Sequence, residues 1–580
     1  MNKKQFPWET FFYLLALVLA LSVRLINLGA APLSDIEAVP ALQALDLLGT
    51  TAADVAPQPA YLSLTGMIFA LLGSSDFLAR LWPALAGSLI LLVPFLLRER
   101  LGRMVALFLA FGLALDPGLV ALSRSVGGAA MAVSFVALAL TMFYLRKPAW
   151  SGIFTGLALL SGPAVWPGLL GLGIGWGGAH LLGLPQEMDD EPTTESTLPW
   201  AGFSVSEWKT WLLFAAGSLF LVGTLFFTFP LGLGALGKSL ASFLRGWADP
   251  GGVPSGRLLV ALLVYAPLAL IFALVAVARR GWRNRWLLWA LAALIVALIY
   301  PARQVGDIVW VIVPLWVLAA QALASNFQDG FWKHPISWAQ AGALLVLMAL
   351  IWLTLAGMRA TPVDGRLVRW LLIAGILLLG TLTVLFIGLG WSWDVARSGT
   401  VLGLLASLGV YTVAAMVGAT QVRPGSVTAL WYPPPATGQA RLMLDTLEDL
   451  SLRETGMRHA LDGVILVESP ALRWALRDFS DMTYRPALGE EPLPPVVIAP
   501  VGSETEAWAA AYRGQDFVWR IRPAWERSLP SNWIEWLVFR DAPLDSEYVI
   551  LWARGDLFPG ERDQTQEEFP QLEDDSGEQE

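Results

Sequence analysis

The residues best suited to chemistry in this chain are two carboxylates, Asp35 and Glu37, in the run Ser34-Asp35-Ile36-Glu37-Ala38 just beyond the first long apolar segment. A carboxylate at a water–membrane boundary can remove or orient the proton of an attacking nucleophile. Three arginines, Arg24, Arg124 and Arg303, fall at ends of apolar segments expected on the same side. Their fixed charge and forked donors suit them to an anionic group such as a phosphate. Each residue also has a structural alternative. Ser34 or Asp35 can cap a helix whose first turn holds Glu37, where the helix dipole favours negative charge. Arg24 can snorkel to the interface, and Arg124 and Arg303 can be solvated loop charges.

Groups placed this way need a membrane framework to hold them. The chain has 580 residues, 56% of them hydrophobic, and a mean hydropathy of +0.58. That composition excludes a soluble globular protein. Apolar stretches near the ~20 residues that cross hydrocarbon recur at 8–28, 81–97, 103–121, 128–145, 150–163, 165–184, 209–229, 258–278, 286–300, 307–324, 338–357, 367–389 and 400–419. The first of these lacks a clear cleavage site and reads as a retained span. The apolar run 61–72 is too short to cross and reads as a helix lying against the outer face. The 28 Trp suit indole rings at membrane interfaces.

Orientation follows from the basic loops. Lys3 and Lys4, Arg98, Arg100 and Arg103, Arg146 and Lys147, and Arg279, Arg280, Arg283 and Arg285 share one side, which is then the cytoplasm. About thirteen spans put the N-terminus inside and everything after residue 420 outside. With no Cys, thiolate chemistry is excluded. The three His have no ligand spacing, so no cofactor is expected and no motif supports a divalent metal. The net charge of −9 comes largely from the loop 187–195 and the tail 564–580, and no basic stripe points to nucleic acid.

After residue 420 the pattern changes. A linker, 421–436, contains Trp431-Tyr432-Pro433-Pro434-Pro435. Helical patterns at 441–453 and 471–479 then alternate with strand-like runs at 464–467, 496–498, 517–521 and 548–552. The expectation is a small extracytoplasmic α/β domain over 437–560, followed by a disordered acidic tail over 561–580.

Three stretches within 1–420 resemble the GT-C glycosyltransferases, in the branch of protein O-mannosyltransferases and lipid A aminoarabinose transferases. Arg24-Leu25-Ile26-Asn27-Leu28 ends the first span and leads to the acidic run. Pro57-Gln58-Pro59-Ala60-Tyr61-Leu62 follows, and then Ala79-Arg80-Leu81-Trp82-Pro83-Ala84-Leu85. The turn Arg98-Glu99-Arg100-Leu101-Gly102-Arg103 and the later Asp116-Pro117 and Ser123-Arg124 extend the likeness over about the first 150 residues. Alignment on Glu37-Ala38 puts Ile36 where the family has Asp. Gln58 stands at the family's basic position, and 125–130 lacks a second acid.

The resemblance implies an α-helical polytopic membrane protein of GT-C type, with an outer loop over 29–80 that carries surface helices. It implies transfer of a sugar from a polyprenyl-phosphate donor to an unidentified acceptor, protein or envelope glycan or lipid, at the outer face of a prokaryotic plasma membrane. Asp35 and Glu37 would be catalytic, Arg24, Arg124 and Arg303 would hold the donor phosphate, and Gln58 and Tyr61 would face the acceptor. The alternative is an inactive scaffold or glycolipid-binding partner in envelope assembly. A transporter is disfavoured because ionisable residues are sparse within the spans.

Overall fold

The computed structural model describes residues 7–47, 57–184, 203–227, 230–362, 365–420, 426–431, 436–488, 494–503, 512–524 and 533–558. Lys3 and Lys4, the acidic loop 187–195, most of the linker 421–436 and the tail 561–580 lie outside these residues. The chain divides into two compact units, Met1–Pro434 with Arg522–Leu544, and Pro435–Ile521 with Asp545–Glu580.

The first unit is helical. It opens with α1 (Pro7–Leu25), α2 (Asp35–Asp46), α3 (Pro59–Leu72), α4 (Asp76–Leu89), α5 (Leu92–Leu96) and α6 (Arg98–Leu101). Next come α7 (Arg103–Leu115), α8 (Pro117–Ser123), α9 (Ala129–Tyr144), α10 (Pro148–Leu159), α11 (Val165–Leu181), α12 (Val205–Gly223) and α13 (Gly234–Arg245). It continues with α14 (Ser255–Tyr265), α15 (Pro267–Arg280), α16 (Arg285–Ile299), α17 (Val309–Gln328), α18 (Pro335–Ala356), α19 (Arg366–Gly390) and α20 (Trp393–Ala419).

Helices run through all thirteen apolar stretches. By length and composition six are able to cross a membrane, or eight if each of two bent pairs is one span. The chain is therefore a helical multi-pass membrane protein. Others fall short because they are brief, as α9 with 16 residues and α16 with 15. The bends have a local cause. Asp116 (φ −61°, ψ 123°) and Ala266 (φ −120°, ψ 35°) each precede a proline, which disfavours helical geometry in the residue before it. The axes turn by 53° between α7 and α8 and by 86° between α14 and α15.

The span Val305–Gln328, which contains α17, is 94% buried and forms the centre of this unit. α18 and α19, at 11% buried each, turn their apolar side chains outward; Leu353, Leu378 and Phe386 are all exposed. Such a surface is stable against lipid and not against water.

The second unit holds a six-stranded sheet in the order β1 (Ala436–Thr437), β5 (Tyr512–Pro523), β6 (Leu544–Arg554), β4 (Val496–Pro500), β2 (Gly463–Ile465) and β3 (Met482–Tyr484). β2 lies parallel to β3 and β4, whereas β4–β6 and β1–β5 are antiparallel. Two helices, α21 (Ala440–Thr455) and α22 (Pro470–Ala475), interrupt the strands as the sequence pattern indicates. Val497, Ala499 and Tyr512 pack with Leu466 and Trp552 in its core. The sequence reading missed β1 and β3, whose two and three residues are too short to show a period. The stretch Arg522–Leu544, with the short helix α23 (Trp533–Phe539), groups with the helical unit.

Candidate functional site

Ser34 starts α2. Its hydroxyl accepts the Glu37 N–H at 3.4 Å, and the Glu37 carboxylate accepts the Ser34 N–H at 3.2 Å, a reciprocal capping box. Glu37 is only 8% exposed. Its Oε2 meets Arg80 Nη2 at 2.7 Å, while its Oε1 accepts Arg80 Nε and the Val126 N–H, both at 3.0 Å. Arg80 is 1% exposed and also donates to the carbonyls of Leu28 (3.2 Å), Ala31 (2.7 Å) and Pro32 (3.3 Å). Burial alone would raise the Glu37 pKa, but the Arg80 guanidinium and the N–H donors of Val126 and Ser34 hold it below the ordinary carboxylate range. Glu37 thus ties the first loop to α4 and to the loop after α8, with both oxygens engaged. Asp35, the first residue of α2, is half-buried, and Ile36 beside it is 53% exposed.

Arg24 is completely buried and faces the end of α7. It donates to the carbonyls of Leu113 (3.2 Å), Ala114 (3.0 Å) and Ala20 (3.3 Å) and to Ser123 Oγ (3.3 Å). Arg124 does the same for α1, with donors on the carbonyls of Val23, Arg24, Ile26 and Asn27 at 2.8–3.1 Å. The last carbonyls of a helix have no partner within it, and a cation there also complements the dipole. The two arginines are reciprocal caps of neighbouring helices.

Asp116 lies fully buried within the protein. It caps α8 through the N–H groups of Gly118 (2.9 Å) and Leu119 (3.0 Å), and its other oxygen accepts Trp316 Nε1 at 2.8 Å.

Gln58 lies near the loop 124–128, with its Oε1 3.9 Å from where a Cβ at Gly127 would be. Tyr61 is buried and donates to the Ala79 carbonyl at 2.9 Å. Gln58 precedes α3, and its Oε1 is enclosed without a hydrogen bond. Arg303 gives Nη1 to the Val253 carbonyl at 3.0 Å, and its Nε is enclosed and unpaired. A Cβ at Gly128 would lie 1.5 Å from the Ser161 carbonyl oxygen, so two backbones touch where no side chain can yield. We expect Gly128→Ala to destabilise the protein by at least ~1–3 kcal/mol. Gly177→Ala, with nothing within 4 Å, should be neutral. Thermal unfolding of both variants in detergent checks this, and equal melting temperatures would refute the close approach.

Asp35 and Glu37 therefore share the first loop, Arg24 and Arg124 meet in one buried network of helix carbonyls, and Arg303 bonds at the Val253 carbonyl. Arg80 was legible as part of a motif and not as the partner of Glu37. Asp307 was missed altogether, because one acid at the edge of an apolar run carries no spacing signal. Among the described residues no three His, Asp or Glu come together as a metal site.

An apolar cavity of about 470 Å³ lies between α5, α7, α9, α11, α16 and α17. Leu109, Leu113, Phe143 and Trp176 line it, and its wall includes the exposed residues Leu140 and Gly173. Leu113 connects it to the Arg24 network, since the Leu113 carbonyl accepts from Arg24.

No family model and no curated protein matches the sequence. Solved structures do. ArnT from Cupriavidus metallidurans bound to undecaprenyl phosphate matches with a TM-score of 0.53 at 16% identity, over 95% of this chain and 98% of that one. The same protein in the apo state matches with a TM-score of 0.52 at 16% identity, over 94% and 99%. A likeness running the length of both chains at this identity shows a shared fold.

Proposed function

We propose that this chain, which has the GT-C fold of the ArnT type, is a membrane glycosyltransferase that takes its sugar from a polyprenyl-phosphate donor. The observation that carries the reading is the end-to-end match to a structure holding undecaprenyl phosphate. The apolar cavity adds to it, with a volume inside the ~300–1,000 Å³ typical of ligand pockets. In this reading the cavity takes part of the polyprenyl tail and the rest stays in the bilayer. The same reading makes the side with the basic loops the cytoplasm, so the N-terminus is inside and the first loop and the sheet domain face outward from a prokaryotic plasma membrane. Arg303, with an unpaired Nε, is the arginine left to meet the phosphate.

A second reading, a glycolipid-binding partner without transfer, is favoured by one observation. Glu37 is fully engaged by Arg80 and backbone N–H groups, and Ile36 occupies the position of the family's Asp. Titration of the purified protein in nanodiscs with undecaprenyl phosphate, followed by incubation with undecaprenyl-phosphate-linked hexoses and pentoses together with a cell-envelope extract as the source of acceptor, separates the two. Transfer predicts saturable binding and release of undecaprenyl phosphate as sugar is consumed. Binding with the donor left intact supports the second reading, and absence of binding sinks both.

A further inference from the structure

Three carboxylates are buried among the described residues: Glu37, Asp116 and Asp307. The first two are saturated. Glu37 has Arg80 and three further donor groups, and Asp116 has two backbone N–H groups and an indole N–H. Asp307, 6% exposed, accepts one bond, from the Gln304 N–H to Oδ2 at 2.8 Å. Its Oδ1 accepts nothing from the described residues, and no Arg or Lys pairs with it. Unlike Arg303 Nε, this oxygen is not enclosed, so it stays open to a group from outside the described residues.

Its surroundings are built. Asp307 ends a turn, 300–307, that is clamped to the segment 246–253. The Ala302 N–H bonds to the Gly246 carbonyl at 3.1 Å, the Val253 N–H to the Arg303 carbonyl at 3.0 Å, and Arg303 Nη1 to the Val253 carbonyl at 3.0 Å. On one side Trp247, 40% exposed, packs on Tyr300 with ring centroids 5.3 Å apart. On the other, a Cβ at Gly306 would meet Leu122 at 3.2 Å and Ala129 at 3.9 Å. Those residues flank the loop whose Val126 N–H holds Glu37, so Gly306, the neighbour of Asp307 in the chain, packs beside the ends of that loop. An unpaired carboxylate oxygen and a part-exposed indole face are groups that recognise a sugar's hydroxyls and its apolar face.

Resting on the transferase reading above, we propose that Asp307, and not Asp35 or Glu37, is the carboxylate that accepts the proton of the acceptor hydroxyl at a carbohydrate subsite formed by the turn 300–307 and Trp247. The proton moves from the acceptor O–H to Oδ1 as the acceptor oxygen bonds to the anomeric carbon. The anomeric C–O bond to the donor phosphate breaks, and its electron pair leaves with the phosphate. Gln304 holds the carboxylate in place through Oδ2 while Oδ1 reacts.

Two measurements decide it. The first is independent of turnover: a hydrophobic carbodiimide, which attacks carboxyls in apolar surroundings, should modify Asp307 and spare Glu37 in mass-spectrometric mapping. Undecaprenyl phosphate should slow that modification. The second is transfer from an undecaprenyl-phosphate-linked sugar. Asp307→Asn keeps an acceptor for the Gln304 N–H, so it should fold with an unchanged melting temperature and lose transfer by ~100-fold or more. Asp35→Asn should lose little. An unmodified Asp307, or Asp307→Asn transferring at the wild-type rate, overturns the proposal and leaves the transferase reading standing. A wild type that never transfers removes that reading, and the labelling and its protection by lipid then decide whether Asp307 lines a lipid-linked sugar site.

Discussion

Arg80→Met should destabilise the protein by about 3–5 kcal/mol, the range for removing one partner of a buried ion pair. The variant leaves Glu37 without its cation and frees three loop carbonyls, those of Leu28, Ala31 and Pro32. The double variant Arg80→Met with Glu37→Met should recover part of the loss, because the uncompensated charge is gone. Recovery stays incomplete, since the Ser34 and Val126 N–H groups then lack an acceptor.

The ion pair also fixes a direction with pH. Glu37 titrates lower in the folded protein than in the unfolded chain. Its contribution is therefore fully present above the unfolded carboxylate pKa, ~4.3, and disappears as pH falls through the lower folded value. Tryptophan fluorescence during chemical unfolding in detergent measures both effects. Arg80→Met unfolding at the wild-type denaturant concentration would refute the assignment. It follows that Glu37→Gln should depress any transfer through loss of folded protein, and activity normalised to folded protein should change little.

What was legible in the sequence was what hydrophobic period and local spacing encode. The apolar stretches marked helices, and Ser34 with Glu37 three residues later spelled a helix start. The runs 464–467 and 496–498 marked central strands. The partner of Glu37 was not legible, because Arg80 lies 43 residues away and joins it only once α4 packs beside α2. Nor could spacing show that Arg24 and Arg124 cap each other's neighbourhood across 100 residues. An arginine at a span end looks the same in sequence whether it meets phosphate, water or a helix carbonyl. Asp307 was invisible for the opposite reason. Its significance lies in bonds it does not make, which only packing reveals.

The three arginines should therefore separate in experiment, although sequence places them in one class. Arg24→Gln and Arg124→Gln each remove up to four donor contacts to buried acceptors. Hydrogen bonds from a charged donor contribute ~1.5–3 kcal/mol apiece, less when shared, so each variant should lose at least ~3 kcal/mol of stability. Glutamine is too short to reach the facing helix end, and its amide carries no charge to complement the dipole. Arg303→Gln removes one carbonyl contact and should lose less than ~1.5 kcal/mol. Lipid binding should order them the other way. If Arg303 meets the donor phosphate, its loss should weaken undecaprenyl phosphate binding by ~2 kcal/mol, about thirtyfold. Arg24→Gln and Arg124→Gln, measured on their folded fraction, should bind within about threefold of wild type, a shift under ~1 kcal/mol. Calorimetric titration together with unfolding curves for the three variants tests both orders. Equal stability in all three would refute the capping role, and a large affinity loss confined to Arg24→Gln or Arg124→Gln would return the phosphate to those residues.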